Sequence, residues 1–515
     1  MFLLYYTAPR RCRQTLLLAA GYLFYYLAGP VYLLYILTTT ATVYGAACGI
    51  GDNADRQALY LKEHRDTLSR EEKRAYRERG KKVRRRWLLG GLGLNLGILA
   101  VVKYSNFAIA NVNGILQAFG GEGRLSFLNL ALPLGISFYT FQALGYLIDV
   151  YRGTVEAERR FFRFALFVSF FPQLIQGPIS RFGDLAPSLY EVHDFDGKTV
   201  SYGLQRILWG YFKKLVIADR MLVGVNAVIG DTEAYGGAYV LAGMLFYGLE
   251  LYADFTGGID ITIGIAQTLG ITLQENFQRP FFSKSLKEYW RRWHISMGTW
   301  FRDYIFYPLS VSGPMQRFTR FSRSRFGENA GRRLPVYLAS FAVWSATGIW
   351  HGASWNFVLW GLGNWAVLMA SESLEPLYER FHRRFGASGR GYQAFAVLRT
   401  FLLVSVLRTF DCYRSVPVTL GMLGSLVTAR NWSILWDGSL LGLGLDMTDF
   451  WILLAGTALL LTVSLLQRRG SVRDRIAGMP YPVRFLLWYG LFLTVLLTGA
   501  YGVGYDASQF IYNQF

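Results

Sequence analysis

His351 ends an apolar run and begins a short small-residue stretch, Gly348-Ile349-Trp350-His351-Gly352-Ala353-Ser354. The run before it starts after Arg332 and Arg333, and the run after it stops ahead of Arg380, Arg383 and Arg384. Basic loops are retained on the cytoplasmic side of a membrane. If both of these are, the chain between them enters and returns, and it turns near His351. Each arm has only about 15 residues, fewer than the ~20 a helix needs to cross, so the imidazole belongs deep in the membrane. Desolvation there favours the neutral ring, the form a general base needs. The competing reading is a core histidine satisfied by one hydrogen bond. Two features favour chemistry: the small residues give a substrate room to approach, and a second histidine, His294, follows the basic, tryptophan-rich Trp290-Arg291-Arg292-Trp293. His64, His193 and His382 lie in charged or loop-like sequence and are expected to face water.

The elements that hold these histidines are apolar. Of 515 residues, 52% are hydrophobic and 17% aromatic, and mean hydropathy is +0.25, values a soluble domain seldom combines. A formal charge of +19 and pI ≈ 9.7 on a soluble chain would suggest nucleic acid. Here the Lys and Arg collect between apolar runs, as the positive-inside rule requires, and no basic segment interleaves with aromatics as a nucleic-acid recognition module would. Such loops face an anionic lipid surface and anionic metabolites. Cys12, Cys48 and Cys412 are too few and scattered for a disulfide framework or a CxxC metal site, and read as packing residues. Arg10, Arg11 and Arg13 precede an apolar run too long for a signal peptide, so this region reads as retained membrane segments.

About ten stretches approach the length of a membrane helix. Residues 16–48, broken at Gly29 and Pro30, suit a hairpin of two spans. Residues 52–86 are the most charged stretch and read as a cytoplasmic amphipathic helical segment. Residues 87–103 cross outward and 125–148 return. Residues 164–177, interrupted by Pro172, Gly177 and Pro178, read as a broken or re-entrant helix, which a membrane tolerates only beside protein or a water-filled cavity. Residues 202–229 carry Lys213, Lys214, Asp219 and Arg220, and residues 237–273 carry Glu250, Asp254 and Asp260, charges that are costly unless they face a polar interior. Residues 274–333 belong to the cytoplasmic interface, and 336–370 form the hairpin carrying His351. Further spans cover 394–410, 451–466 and 485–501. With no internal repeat and no flexible linker, the expectation is an all-α polytopic membrane protein in a single domain, 1–515.

Several stretches carry a resemblance to the membrane-bound O-acyltransferase (MBOAT) family, in its bacterial alginate or polysaccharide O-acetylase branch. They are ENFQRPFFSKSLKEYWRRWHISMGTWFRDYIFYPL (275–309), GIWHGASWNFVLWGL (348–362), LPLGISFYTFQALGYLIDVYRG (132–153), FFPQLIQGPISRF (170–182), YADFTGGIDITIG (252–264) and FIYNQF (510–515). The resemblance implies a ring of roughly 10–13 tilted transmembrane and re-entrant helices around a central tunnel, with an acyl donor entering from the cytoplasm and the acceptor approaching from outside. It carries the family's near-invariant histidine over to His351 and its motif-borne second histidine to His294. The sequence departs in two places: little precedes Tyr5-Tyr6-Thr7, where relatives have a further apolar segment, and Thr256-Gly257-Gly258 stands where relatives often have Ser-Gly-Tyr.

Acyl transfer from a thioester to a hydroxyl needs a base, a stabiliser for the oxyanion and a path that excludes water. His351 is the candidate base. No GxSxG elbow occurs, so direct transfer from donor to hydroxyl is favoured. Lys287, Arg291 and Arg292 suit the phosphates of acetyl-CoA or a related thioester, a donor substrate rather than a resident cofactor. Trp290 and Trp293 are available to stack or to anchor the interface. Arg302 and Asp303 form an ion pair or touch substrate, and Asp254 admits a structural or a substrate role. Asn276 and Trp350, inside the matched stretches, complete the candidate substrate-binding set, and no metal site is expected. The outer loops are short or apolar, leaving nowhere to bind a long polymer. The resembling systems hand the acyl group to an extracytoplasmic SGNH-type, esterase-like protein that places it on a polysaccharide, so such a partner in a bacterial cell membrane is expected. The alternatives are D-alanyl transfer to teichoic acid and, in another class, a transporter.

Overall fold

The computed structural model of the chain describes residues 1–121 and 123–501, so the FIYNQF stretch lies outside the described residues. Their regular structure is all helical, with no strand among them. Four of the helices are by length and composition able to cross a membrane: Tyr32–Glu63, Arg70–Ala118, Met447–Arg469 and Tyr481–Thr498. The other apolar stretches make helices that are shorter, broken or charge-bearing. The chain packs as two compact units, one of Met1–Val200 with Ala266–Gln274 and the other of Ser201–Ile265 with the residues from Glu275 onward.

In the first unit the expected break at Gly29 and Pro30 separates Arg13–Ala28 from Tyr32–Glu63. The charged residues 52–86 are not a separate segment. They are the facing ends of Tyr32–Glu63 and Arg70–Ala118, which run on through the charge because Arg, Lys, Glu and Ala are all strong helix formers. A capping box starts the second of these: Ser69 Oγ accepts from the Glu72 backbone N–H, and Glu72 accepts from the Ser69 N–H. The expected span 125–148 is helical only from Ile136. Pro133 biases the residue before it away from helix. Gly135 has φ +66°, and a Cβ there would collide with the Leu174 carbonyl. The backbones of Leu125 and Leu128 bond instead to the side chains of Asn113 and Asn106. The break in residues 164–177 is present, with Phe161–Ser169 giving way to the single 3₁₀ turn Phe171–Gln173. His64 and His193 are half-buried rather than water-facing, each bonded to a backbone carbonyl.

In the second unit Gly197–Tyr211 and Asp219–Gly230 are joined by the π-helical turn Phe212–Ala218, a geometry often found at functional sites. It holds two lysines against Ala238–Thr268. Lys213 Nζ lies 2.6 Å from Asp260 and 2.8 Å from Thr256, while Lys214 Nζ lies 2.7 Å from Asp219 and 2.6 Å from Asp254. Lys213, Lys214, Asp219, Asp254 and Asp260 are thus paired, as their depth demands. Gly313–His351, kinked at Gly327 (φ 85°), packs against Trp355–Ser373, which packs against Arg390–Cys412. His382 is half-buried on the Tyr392 hydroxyl. Among the cysteines Cys12 is exposed, and so is not a packing residue, while Cys48 and Cys412 are partly buried.

The hairpin yields a topological prediction. Arg333→Cys and Arg383→Cys, in a background with Cys12, Cys48 and Cys412 replaced, should both resist a membrane-impermeant thiol reagent in intact cells and react in inverted vesicles. Labelling of only one from outside would mean that the segment crosses once.

Candidate active site

His351 is the last residue of its helix, and Trp355–Ser373 begins four residues later, so it does sit at a hairpin tip. The small residues around it serve a purpose other than the one expected. Gly348 and Gly361 let the two arms touch backbone to backbone, since a Cβ on either would strike a carbonyl of the opposite arm, and Gly352 lies against the Phe357 ring. These glycines are helix contacts, while His351, Ala353 and Ser354 at the tip are half-buried. The half-buried His351 ring meets Trp360 edge-on at 4.6 Å and Trp350 at 5.0 Å.

His294 also contacts Trp350, the two rings 6.0 Å apart. It is 0% exposed and stands in the left-handed region, φ 49° and ψ 54°, at the head of Ile295–Phe301. A short ladder fixes this conformation: Gln278 N–H donates to the Arg292 carbonyl at 2.9 Å, and Ile295 N–H to the Asn276 carbonyl at 3.0 Å. The Asn276 side chain then fixes the histidine tautomer. Its Oδ1 accepts from the Ser296 backbone N–H, which can only donate, and from Ser296 Oγ, both at 2.9 Å. Its Nδ2 therefore faces His294 Nδ1 at 3.3 Å and donates to it. Nδ1 must be unprotonated and Nε2 must carry the hydrogen. Nε2 is buried, with no hydrogen-bond partner among the described residues. Burial, and then the positive charge of Arg408, lower the His294 pKa to about 3 and keep the ring neutral. The arrangement offers a neutral N–H donor and a second imidazole, both in ring contact with Trp350.

Arg408 was not singled out by the sequence reading. It is 6% exposed, paired with Asp411 at 2.8 Å, and enclosed by the rings of Trp293 at 4.8 Å, Trp360 at 5.7 Å and Trp290 at 5.8 Å, with the Tyr289 hydroxyl at 3.4 Å. Trp360 also touches His351, and Trp293 is joined to His294 in the chain, so one cation organises the supports of both histidines. The available signal was an Arg and an Asp three residues apart inside an apolar run.

Trp290 and Trp293 do not project to an interface. Trp293 is 2% exposed, and the Trp290 indole N–H donates to Asn364 Oδ1 at 3.0 Å. Trp350 is buried in ring contact with both histidines. Arg291 and Lys287 are exposed, whereas Arg292 is half-buried on Glu288 at 2.5 Å. Arg302 and Asp303 pair at 2.8 Å. Asp254 is fully buried on Lys214, apart from the histidines' ring contacts. No group of three or more His, Cys, Asp or Glu among the described residues is placed to hold a metal ion.

Residues 158–322 match the membrane-bound O-acyltransferase family. The chain is 32% identical to a probable alginate O-acetylase of Pseudomonas putida, over 84% of this chain and 78% of that protein. It is 32% identical to a peptidoglycan O-acetyltransferase of Helicobacter pylori over 58% of each. It is 27% identical to a teichoic acid D-alanyltransferase of Bacillus subtilis, over 54% of this chain and 67% of that protein.

Proposed function

The chain belongs to the membrane-bound O-acyltransferase family, and from that premise we propose that it moves an acetyl group from a cytoplasmic thioester to an extracytoplasmic polysaccharide through a partner protein. It is a multi-pass membrane O-acyltransferase. The proposal adds the donor, the partner and the cell membrane of a bacterium. The observation that carries it is the pair of imidazoles in ring contact with Trp350, in a chain similar to a probable alginate O-acetylase over 84% of its length.

In this reading His351 takes the proton of the acceptor hydroxyl as its oxygen bonds to the thioester carbonyl carbon. The carbonyl oxygen becomes an oxyanion, which the buried Nε2–H of His294 stabilises without reorganisation, because Asn276 already holds the tautomer. The C–S bond then breaks, and protonated His351 returns its proton to the leaving thiolate. A D-alanyl group would undergo the same steps, so donor choice separates the two readings. Purified protein should consume acetyl-CoA in the presence of an SGNH-type acceptor. Turnover of a carrier-bound D-alanyl thioester and not acetyl-CoA, or solute movement without thioester loss, would overturn the proposal.

The exposed pair Arg291 and Lys287 suits the donor's phosphates better than Arg292, which Glu288 already engages. Replacing both with Ala should raise the donor KM by about tenfold or more for each lost charge-assisted contact and leave kcat nearly intact. If saturating donor recovered no rate, the two side chains would belong to the chemistry or the fold.

A further inference from the structure

A cavity of about 730 Å³ opens in the Ser201-onward unit, lined by neither His294 nor His351 and by neither Trp290 nor Arg408. Its two ends differ in chemistry. One carries five cations, Arg206, Lys213, Arg279, Arg292 and Arg473, against two carboxylates, Asp260 and Glu275. Both carboxylates are already engaged, Asp260 by Arg206 and Lys213 and Glu275 by Arg206. Arg279 has no carboxylate partner among the described residues, and its Nε is buried without a hydrogen bond. Burial and the like charges of Arg292 and Arg468 lower its pKa. Its backbone is left-handed, φ 51°, a conformation that a non-glycine residue keeps only where its surroundings enforce it. The other end is apolar: Leu459, Leu460 and Val463 come from Met447–Leu466, and Leu487 and Leu491 from Tyr481–Thr498. Both of those helices are able to span a membrane.

We infer that this cavity binds a glycerophospholipid with an anionic headgroup, its phosphate on Arg279 and Arg473 and an acyl chain along the wall of Met447–Leu466 and Tyr481–Thr498. Arg292 is already held by Glu288, so Arg279 is the lining cation left without a carboxylate and calls for an anion, and the apolar wall calls for hydrocarbon. A thioester's amide-bearing pantetheine arm would find few polar partners on that wall, the hydroxyls of Ser464 and Thr494 and the indole N–H of Trp488. The basic residues 467–475 at the charged end face the cytoplasmic leaflet by the positive-inside rule, and that leaflet is where anionic lipids lie. The inference does not depend on the acyl-transfer reading.

The test is native mass spectrometry of the full chain extracted in mild detergent and exposed to vesicles of phosphatidylcholine with phosphatidylglycerol. Wild type should retain one phosphatidylglycerol and discriminate against phosphatidylcholine. Arg279→Gln should lower retention roughly tenfold, and Arg279→Lys should restore most of it, showing that charge rather than folding is responsible. Val463→Trp, which fills the apolar end, should abolish retention while its thermal unfolding stays that of the parent. Equal retention by Arg279→Gln, no lipid on wild type, or displacement of the lipid by free coenzyme A would each overturn the assignment, the last by giving the cavity to the donor.

Discussion

His351→Ala is expected to lower acyl transfer at least about a hundredfold while the detergent-extracted protein stays folded. General-base catalysis by a positioned imidazole contributes roughly 10²–10⁴ in rate, and the tip residues from Gly348 to Ser354 include no second base to replace it. The substitution removes ring contacts to Trp350 and Trp360, but the backbone packing of Gly348 against Gly361 does not involve the side chain, so the hairpin should persist. The O-acetyl content of the cell's polysaccharide and thioester consumption by purified protein are the measurements, with size-exclusion profile and thermal unfolding as the control for folding. Near-normal acetylation by a folded variant would remove His351 from the base role. Asn276→Ala offers a graded comparison. It frees the His294 tautomer without deleting the ring, so it should slow transfer less than loss of His294 itself.

The second large effect concerns stability. Arg408→Leu should destabilise the protein by about 3–5 kcal/mol, because it leaves Asp411, 8% exposed, as an uncompensated buried charge inside an aromatic enclosure. The double variant Arg408→Leu with Asp411→Leu should recover much of that loss, since replacing both partners of a buried pair with apolar groups is often close to neutral. Activity should not recover with it, because Trp293 and Trp360 lose the cation that fixes them beside His294 and His351. Thermal unfolding of all three variants in one detergent tests this. A single variant as stable as the parent would show the pair to be peripheral, and a fully active double variant would show that Arg408 does not position the histidines.

Much of the architecture is legible in the residues alone. Hydropathy and the placement of Lys and Arg determine that the chain is helical and membrane-embedded, because a span of hydrocarbon demands uninterrupted apolar length and basic loops resist translocation. The breaks at Gly29-Pro30 and near Pro172 are equally readable, since proline lacks the donor that the next turn requires. The turn at His351 is legible from the basic residues on either side of it, although these lie within the helices Gly313–His351 and Glu375–Phe385 rather than in loops. What the sequence could not supply is whatever depends on residues far apart in the chain meeting in space. The glycines near His351 looked like open space and proved to be helix contact, because only the packed arms reveal what a missing Cβ admits. The tryptophans beside His294 looked like an interface belt, yet a cation more than a hundred residues away draws them inward around itself. The tautomer of His294 was likewise decided by the backbone N–H of Ser296 acting through Asn276, and the direction of one hydrogen bond is a property of the folded chain rather than of residue spacing.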